Sequence, residues 1–134
     1  MTMKEFRVKS SISDVELRLT HTQGDYFTAE IMSDSIRAVR EVWAYTDAYM
    51  MADLLEWIAS QEKPWDGSKY WESIEGEFKF TAQCTNLGHV IFGIELNQYN
   101  ATEQWSIDAD IRSDFGSLPL LAKAARKFFG DSPN

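Results

Sequence analysis

The chain has 134 residues and a formal net charge of −8, which suits one domain with a conventional core that buries about two-thirds of the unfolded surface. Its single cysteine, Cys84, has no partner for an internal disulfide, and its start lacks the apolar stretch of about 7–15 residues that a signal peptide needs. The longest apolar run, Val90 to Ile94, is far short of the ~20 residues that span a bilayer. A cytoplasmic protein without a membrane segment is expected.

The charge is unevenly placed. Residues 1–40 carry six acids and six bases, residues 41–114 fourteen acids and four bases, and residues 115–134 one acid and three bases. An acidic middle repels the phosphates of nucleic acid, so none is expected as a partner. It suits either plain solvation or a basic partner drawn in electrostatically. No repeat, low-complexity tract or Pro/Gly/Ser-rich linker divides the sequence, and 1–134 reads as a single domain.

The first elements are strands. Phe6 and Val8 alternate with Arg7 and Lys9, then Val15, Leu17 and Leu19 alternate with Glu16, Arg18 and Thr20. The turn Gln23-Gly24-Asp25 leads to a third strand with Phe27, Ala29 and Ile31 on one face. A fourth is predicted over Ile36 to Tyr45, with Val39, Trp43 and Tyr45 sharing the inward face. From Asp47 the period becomes helical, with Met51, Leu54, Leu55 and Ile58 along one side, Asp47 as N-cap and Pro64 as terminator. Lys63 to Trp71 then reads as a loop anchored by Trp65 and Trp71, two residues that either pack in the core or form an aromatic contact patch.

The following run is the most regular. Phe78, Phe80, Ala82 and Cys84 face inward, as do Val90, Phe92, Ile94 and Leu96. A three-residue loop Asn86-Leu87-Gly88, with Gly88 at positive φ, puts Thr85 opposite His89, Cys84 opposite Val90 and Lys79 opposite Glu95. The Lys79–Glu95 pair is expected to contribute at most about 1 kcal/mol. Trp105, Ile107, Ala109 and Ile111 face inward on the next strand, leaving Ser106, Asp108, Asp110 and Arg112 outside. A last helix starts near Ser117, buries Leu121, Ala125 and Phe128 and stops at Gly130, with Lys123, Arg126 and Lys127 toward its C-terminal end. The predicted fold is α+β: an antiparallel sheet or sheets of about seven strands in β-β-β-β-α-β-β-β-α order, with two helices packed on the sheet.

No phosphate-binding glycine loop, CxxC, HExxH or GxSxG is present. His21 and His89 are the candidate general bases, but the parity of the hairpin turns Cys84 inward and His89 outward, which separates the one tempting nucleophilic pair. Glu95, Asp108 and Asp110 gather on one outer surface, yet nothing supplies further ligands at fixed offsets for a hard cation. No metal, cofactor or catalytic residue is predicted.

The segments Trp65-Asp66-Gly67, Trp71 through Ala82 and Leu87-Gly88-His89-Val90-Ile91-Phe92, continued by Trp105 and Phe115-Gly116, resemble a bacterial domain family of unknown function, catalogue number 6228. In architecture the chain is more distantly similar to WapI-type immunity proteins, which neutralise contact-delivered toxins. The nearer resemblance implies no assigned activity. The leading expectation is a non-enzymatic, immunity-like module that binds a basic, toxin-like partner through Glu95, Asp108 and Asp110, with Trp65 and Trp71 as further candidate contacts. One alternative is a small-ligand-binding or hydrolytic enzyme with a pocket near His89 and the Trp65–Trp71 loop. The other is a self-associating structural protein; the oligomeric state is left open.

Overall fold

A computed structural model describes residues 4–22, 24–44, 46–99 and 101–131. In chain order the elements are β1 (Glu5–Lys9), β2 (Glu16–His21), β3 (Tyr26–Met32), β4 (Arg37–Trp43), α1 (Tyr49–Ala59), β5 (Lys69–Glu72), β6 (Phe78–Cys84), β7 (His89–Asn97), β8 (Ser106–Asp114) and α2 (Leu118–Phe129). They form two four-stranded antiparallel sheets, β1-β2-β3-β4 and β5-β6-β7-β8, each a meander in sequence order. The α+β class and the element order are as expected, but there are eight strands. The additional strand, β5, lies in the segment read as a loop, because four residues with only Trp71 turned inward show no alternation.

The β6–β7 hairpin has the predicted register, with Phe78 opposite Leu96, Phe80 opposite Ile94 and Cys84 opposite Val90. Thr85 and His89 close the loop through the Thr85 amide donating to the His89 carbonyl at 2.8 Å, and Gly88 has φ 85°. The inward residues of both sheets and one side of each helix share one core. Phe27 meets Phe78 edge-on at 5.7 Å, linking the two sheets, and touches Phe128 and Phe129 of α2 at 6.3 and 5.9 Å.

Three expectations are corrected. In β4 the register pairs Phe27 with Val42, Ala29 with Arg40 and Ile31 with Ala38, so the even residues face inward. Val42 is buried whereas Val39 is 44 % exposed. Arg40 is tolerated on the inner parity of this edge strand because its guanidinium donates to the carbonyls of Asn97 at 2.9 Å and Glu41 at 3.1 Å. Tyr45, assigned to the same strand, and Gln23, assigned to the β2–β3 turn, lie outside the described residues.

Asp47 does not cap α1. The N-cap is Ala48, and Asp47 instead offers its backbone carbonyl to the Met50 amide at 2.9 Å while its Oδ1 is buried without a partner among the described residues. Nor does Pro64 end that helix. It stops at Ser60, whose hydroxyl donates to the Trp57 carbonyl at 2.7 Å, joined there by the Gln61 side-chain amide at 2.9 Å. The orphan carbonyl of the last turn is thus satisfied before the proline is reached. Helix α1 buries Met51, Ala52, Leu55 and Ile58. Helix α2 carries Pro119 in its first turn and ends at Gly130, φ 79°. It buries Leu118, Ala122, Ala125 and Phe128, with Leu121 only half-buried. The Arg126 guanidinium ties the two helices by donating to Glu56 at 2.6 and 3.1 Å and to Asp53.

Candidate binding face on the second sheet

Because the inward parity of β6–β8 is filled by apolar or small residues, the opposite parity forms an outer face. Two rows cross it: Glu72, Lys79, Glu95 and Asp108 are successive register partners, and so are Tyr70, Thr81, Gly93 and Asp110. Glycine within a central strand marks a close approach. A Cβ at Gly93 would stand 2.5 Å from Thr81 Oγ1 and 3.7 Å from Asp110 Oδ1. The missing side chain leaves a shallow notch of about 220 Å³ bordered by Lys79, Glu95, Asp108 and Asp110. A second concavity of about 430 Å³ adjoins it, sharing Lys79 and Glu95 and extending past Glu72, Glu77 and Asn97 to Arg40 of β4.

The electrostatics of the two outer faces differ. On the first sheet three carboxylates are paired and Glu41 is not, among the described residues: Arg7 bonds Glu5 and Glu16 at 3.0 and 2.9 Å, and buried Glu30 receives Arg18 at 2.6 Å and Arg37. Burial pushes the Glu30 carboxyl up, but hydrogen bonds from Arg37 and Arg18 outweigh it and hold the group below the usual carboxylate range. On the second sheet, Glu72, Glu75, Glu95, Asp108 and Asp110 enter no ion pair among the described residues. Lys79 has Glu95 as its register partner, as expected, but makes no ion pair with it; the ammonium lies over the Tyr70 ring, 5.0 Å from the centroid. Glu95 and Asp108 face each other directly. Like charges so placed are destabilising by roughly 0.2–1 kcal/mol.

The structure therefore brings Glu95, Asp108 and Asp110 together around one notch and leaves the other sequence candidates elsewhere. Trp65 is 9 % exposed and meets Trp57 and Phe115 edge-on at 5.8 and 6.2 Å. Trp71 is 5 % exposed and packs on Phe78 at 6.0 Å. Both indoles belong to the core, so neither adds to a contact patch. His89 is half-buried on the outer face with Nδ1 3.7 Å from Asp114 Oδ1, and it borders neither the notch nor the larger concavity beside it. Cys84 lies on the inner parity, its thiol donating to the Thr85 carbonyl at 3.5 Å. His21 stacks on Phe128 at 4.1 Å, with Nε2 3.0 Å from that residue's carbonyl. Among the described residues no three His, Cys, Asp or Glu side chains are grouped to hold a metal ion.

Sequence reasoning missed Gly93, Glu72, Asn97 and Arg40. Gly93 had a legible signal, a glycine interrupting the apolar run Val90–Ile94. Glu72 was hidden with the rest of β5.

These features define a two-sheet α+β domain with one internally neutralised outer face and one acidic, notched one. The chain belongs to the family described as a family of unknown function (DUF6228), whose model matches residues 6–132. No curated protein and no solved structure matches the chain. Among the described residues no helix is long and apolar enough to cross a membrane.

Proposed function

We propose that this protein is a non-enzymatic protein-binding module that takes a basic partner on the outer face of β5–β8. The carrying observation is the cluster of Glu95, Asp108 and Asp110, in no ion pair among the described residues and set around a notch, beside a first sheet whose Glu5, Glu16 and Glu30 are paired with arginines. Unpaired carboxylates on a sheet face attract a cationic surface at long range and pair with its side chains at contact. An immunity-like role, in which the partner is a basic toxin, is the finer form of this reading. A cytoplasmic setting accords with the lone thiol of Cys84.

The test uses a blocked decapeptide of alternating lysine and arginine as the probe. Its dissociation constant is measured at about 50 and 300 mM salt, between which the screening length falls about 2.5-fold, from about 14 to about 6 Å. Binding is expected to weaken at least about tenfold with salt and to vanish in Asp108→Lys with Asp110→Lys. Glu62→Lys with Asp66→Lys makes the same net change in the α1–β5 connection and is expected to change it less than about threefold. A dissociation constant indifferent to salt, or raised equally by both reversals, would overturn the reading.

A further inference from the structure

The larger concavity sits where the second sheet meets β4, and its wall contains two polar side chains that are more than nine-tenths buried, Asn97 at 4 % and Glu77 at 5 % exposure. The Asn97 amide is oriented by its own donors: Nδ2 gives hydrogen bonds to the Gly76 carbonyl and to Glu95 Oε2, both at 2.8 Å. With both N–H groups spent, Oδ1 is left as an acceptor that no described residue fills, on a residue that lines the cavity. The backbone of Asn97 is fixed as well, its amide donating to the Glu77 carbonyl at 3.1 Å and its carbonyl accepting Arg40 at 2.9 Å. This acceptor is preorganised.

Carboxylates surround it. Glu95 touches the amide directly, and the Glu72 carboxylate reaches the same turn, 3.6 Å from where a Cβ of Gly76 would be. Glu77 receives the Ser73 hydroxyl and, at 3.4 Å, the Trp43 amide, but no cation among the described residues. Two cations also line the cavity: Arg40, whose Nε and Nη1 donate to backbone carbonyls, and Lys79, whose ammonium lies over the Tyr70 ring.

We infer that this cavity receives a primary alkylammonium, the head of one lysine on the basic partner. The inference rests on the binding role proposed above and names the group recognised. A compact ammonium offers three independently directed donors, which suits single oxygens contributed by β5, β7 and the turn between β5 and β6. A guanidinium presents a planar fork and needs paired oxygens. Tyr99 at the rim presents an aromatic ring.

The test compares a blocked (Gly-Lys)₅ peptide with its arginine counterpart, read by calorimetry and by the NMR resonances of the Asn97 side-chain amide. The lysine peptide is expected to bind about fivefold more tightly and to shift those resonances. Glu72→Gln with Glu75→Gln removes two carboxylates that line the cavity and none of the hydrogen bonds that hold Asn97. It is expected to weaken the lysine peptide about tenfold, against about threefold for Asp108→Asn with Asp110→Asn at the neighbouring notch. Equal weakening by the two doubles, with the Asn97 amide unmoved, overturns the lysine site and leaves the acidic binding face standing. An absence of binding to either peptide in the parent protein overturns both.

Discussion

Replacing Gly93 with alanine tests the notch as a packing device. The backbone at Gly93 is not in the left-handed region, so alanine meets no conformational objection. In open space the change would stabilise a strand by about 0.5–1 kcal/mol. Here the new methyl lies 2.5 Å from Thr81 Oγ1, and a β-branched side chain has few rotamers to which it can retreat. Overpacking of this kind costs about 1–3 kcal/mol, which leaves a net loss of about 1 kcal/mol. Thr81→Ala removes the obstacle, and in that background Gly93→Ala regains its intrinsic benefit. The coupling energy of the double-mutant cycle is therefore about 2 kcal/mol. Urea unfolding of the parent, both single variants and the double variant measures it. Additivity within about 0.5 kcal/mol would refute the close approach as the reason for glycine.

Two further outcomes are expected. The Glu30 carboxyl is held below its ordinary value of 4.5 in the folded protein, so its contribution to stability is complete above that value and is lost as pH falls through the lowered one. The urea midpoint should decline on acidification below 4.5 and decline less steeply in Glu30→Gln, and parallel acid limbs would contradict this. Asp108→Lys places a cation directly opposite Glu95 and should stabilise the fold by about 0.5 kcal/mol at low salt, a gain that high salt erases; a lowered urea midpoint would count against it.

What was legible in the sequence followed from strict alternation with turn chemistry. In β6, β7 and β8 every inward position is apolar or small, so parity alone set the register and placed Glu95, Asp108 and Asp110 on one face. Parity failed at β4, where the apolar residues Val39 and Trp43 point outward and the inward row holds an arginine. An edge strand allows that, because Arg40 reaches out of the core to the end of β7. Asp47 has the chemistry of a cap, yet Thr46 at φ 70° turns the chain so that Ala48 occupies the capping position. The deeper cavity was invisible for a different reason. Arg40, Glu72 and Asn97 lie on three strands of two sheets and meet only through packing of one sheet against the other. No local pattern encodes such a meeting.

The opposition of Glu95 and Asp108 bears on both stability and binding. A small domain has only a few kcal/mol of net stability, and a like-charge pair in a central register position subtracts from it. The first sheet shows that this chain has an alternative, since Glu30 lies between Arg18 and Arg37 in the equivalent outward position. The second sheet keeps Glu95 and Asp108 opposed and turns Lys79, the cation in their row, over Tyr70. Asp108 and Asp110, which enter no hydrogen bond or ion pair among the described residues, face a basic partner with no intramolecular bond to break first, so their full Coulombic gain is available to the complex. The same substitution, Asp108→Lys, is therefore expected to strengthen the fold and weaken binding. That opposition of effects separates a surface that serves recognition from one that is merely solvated.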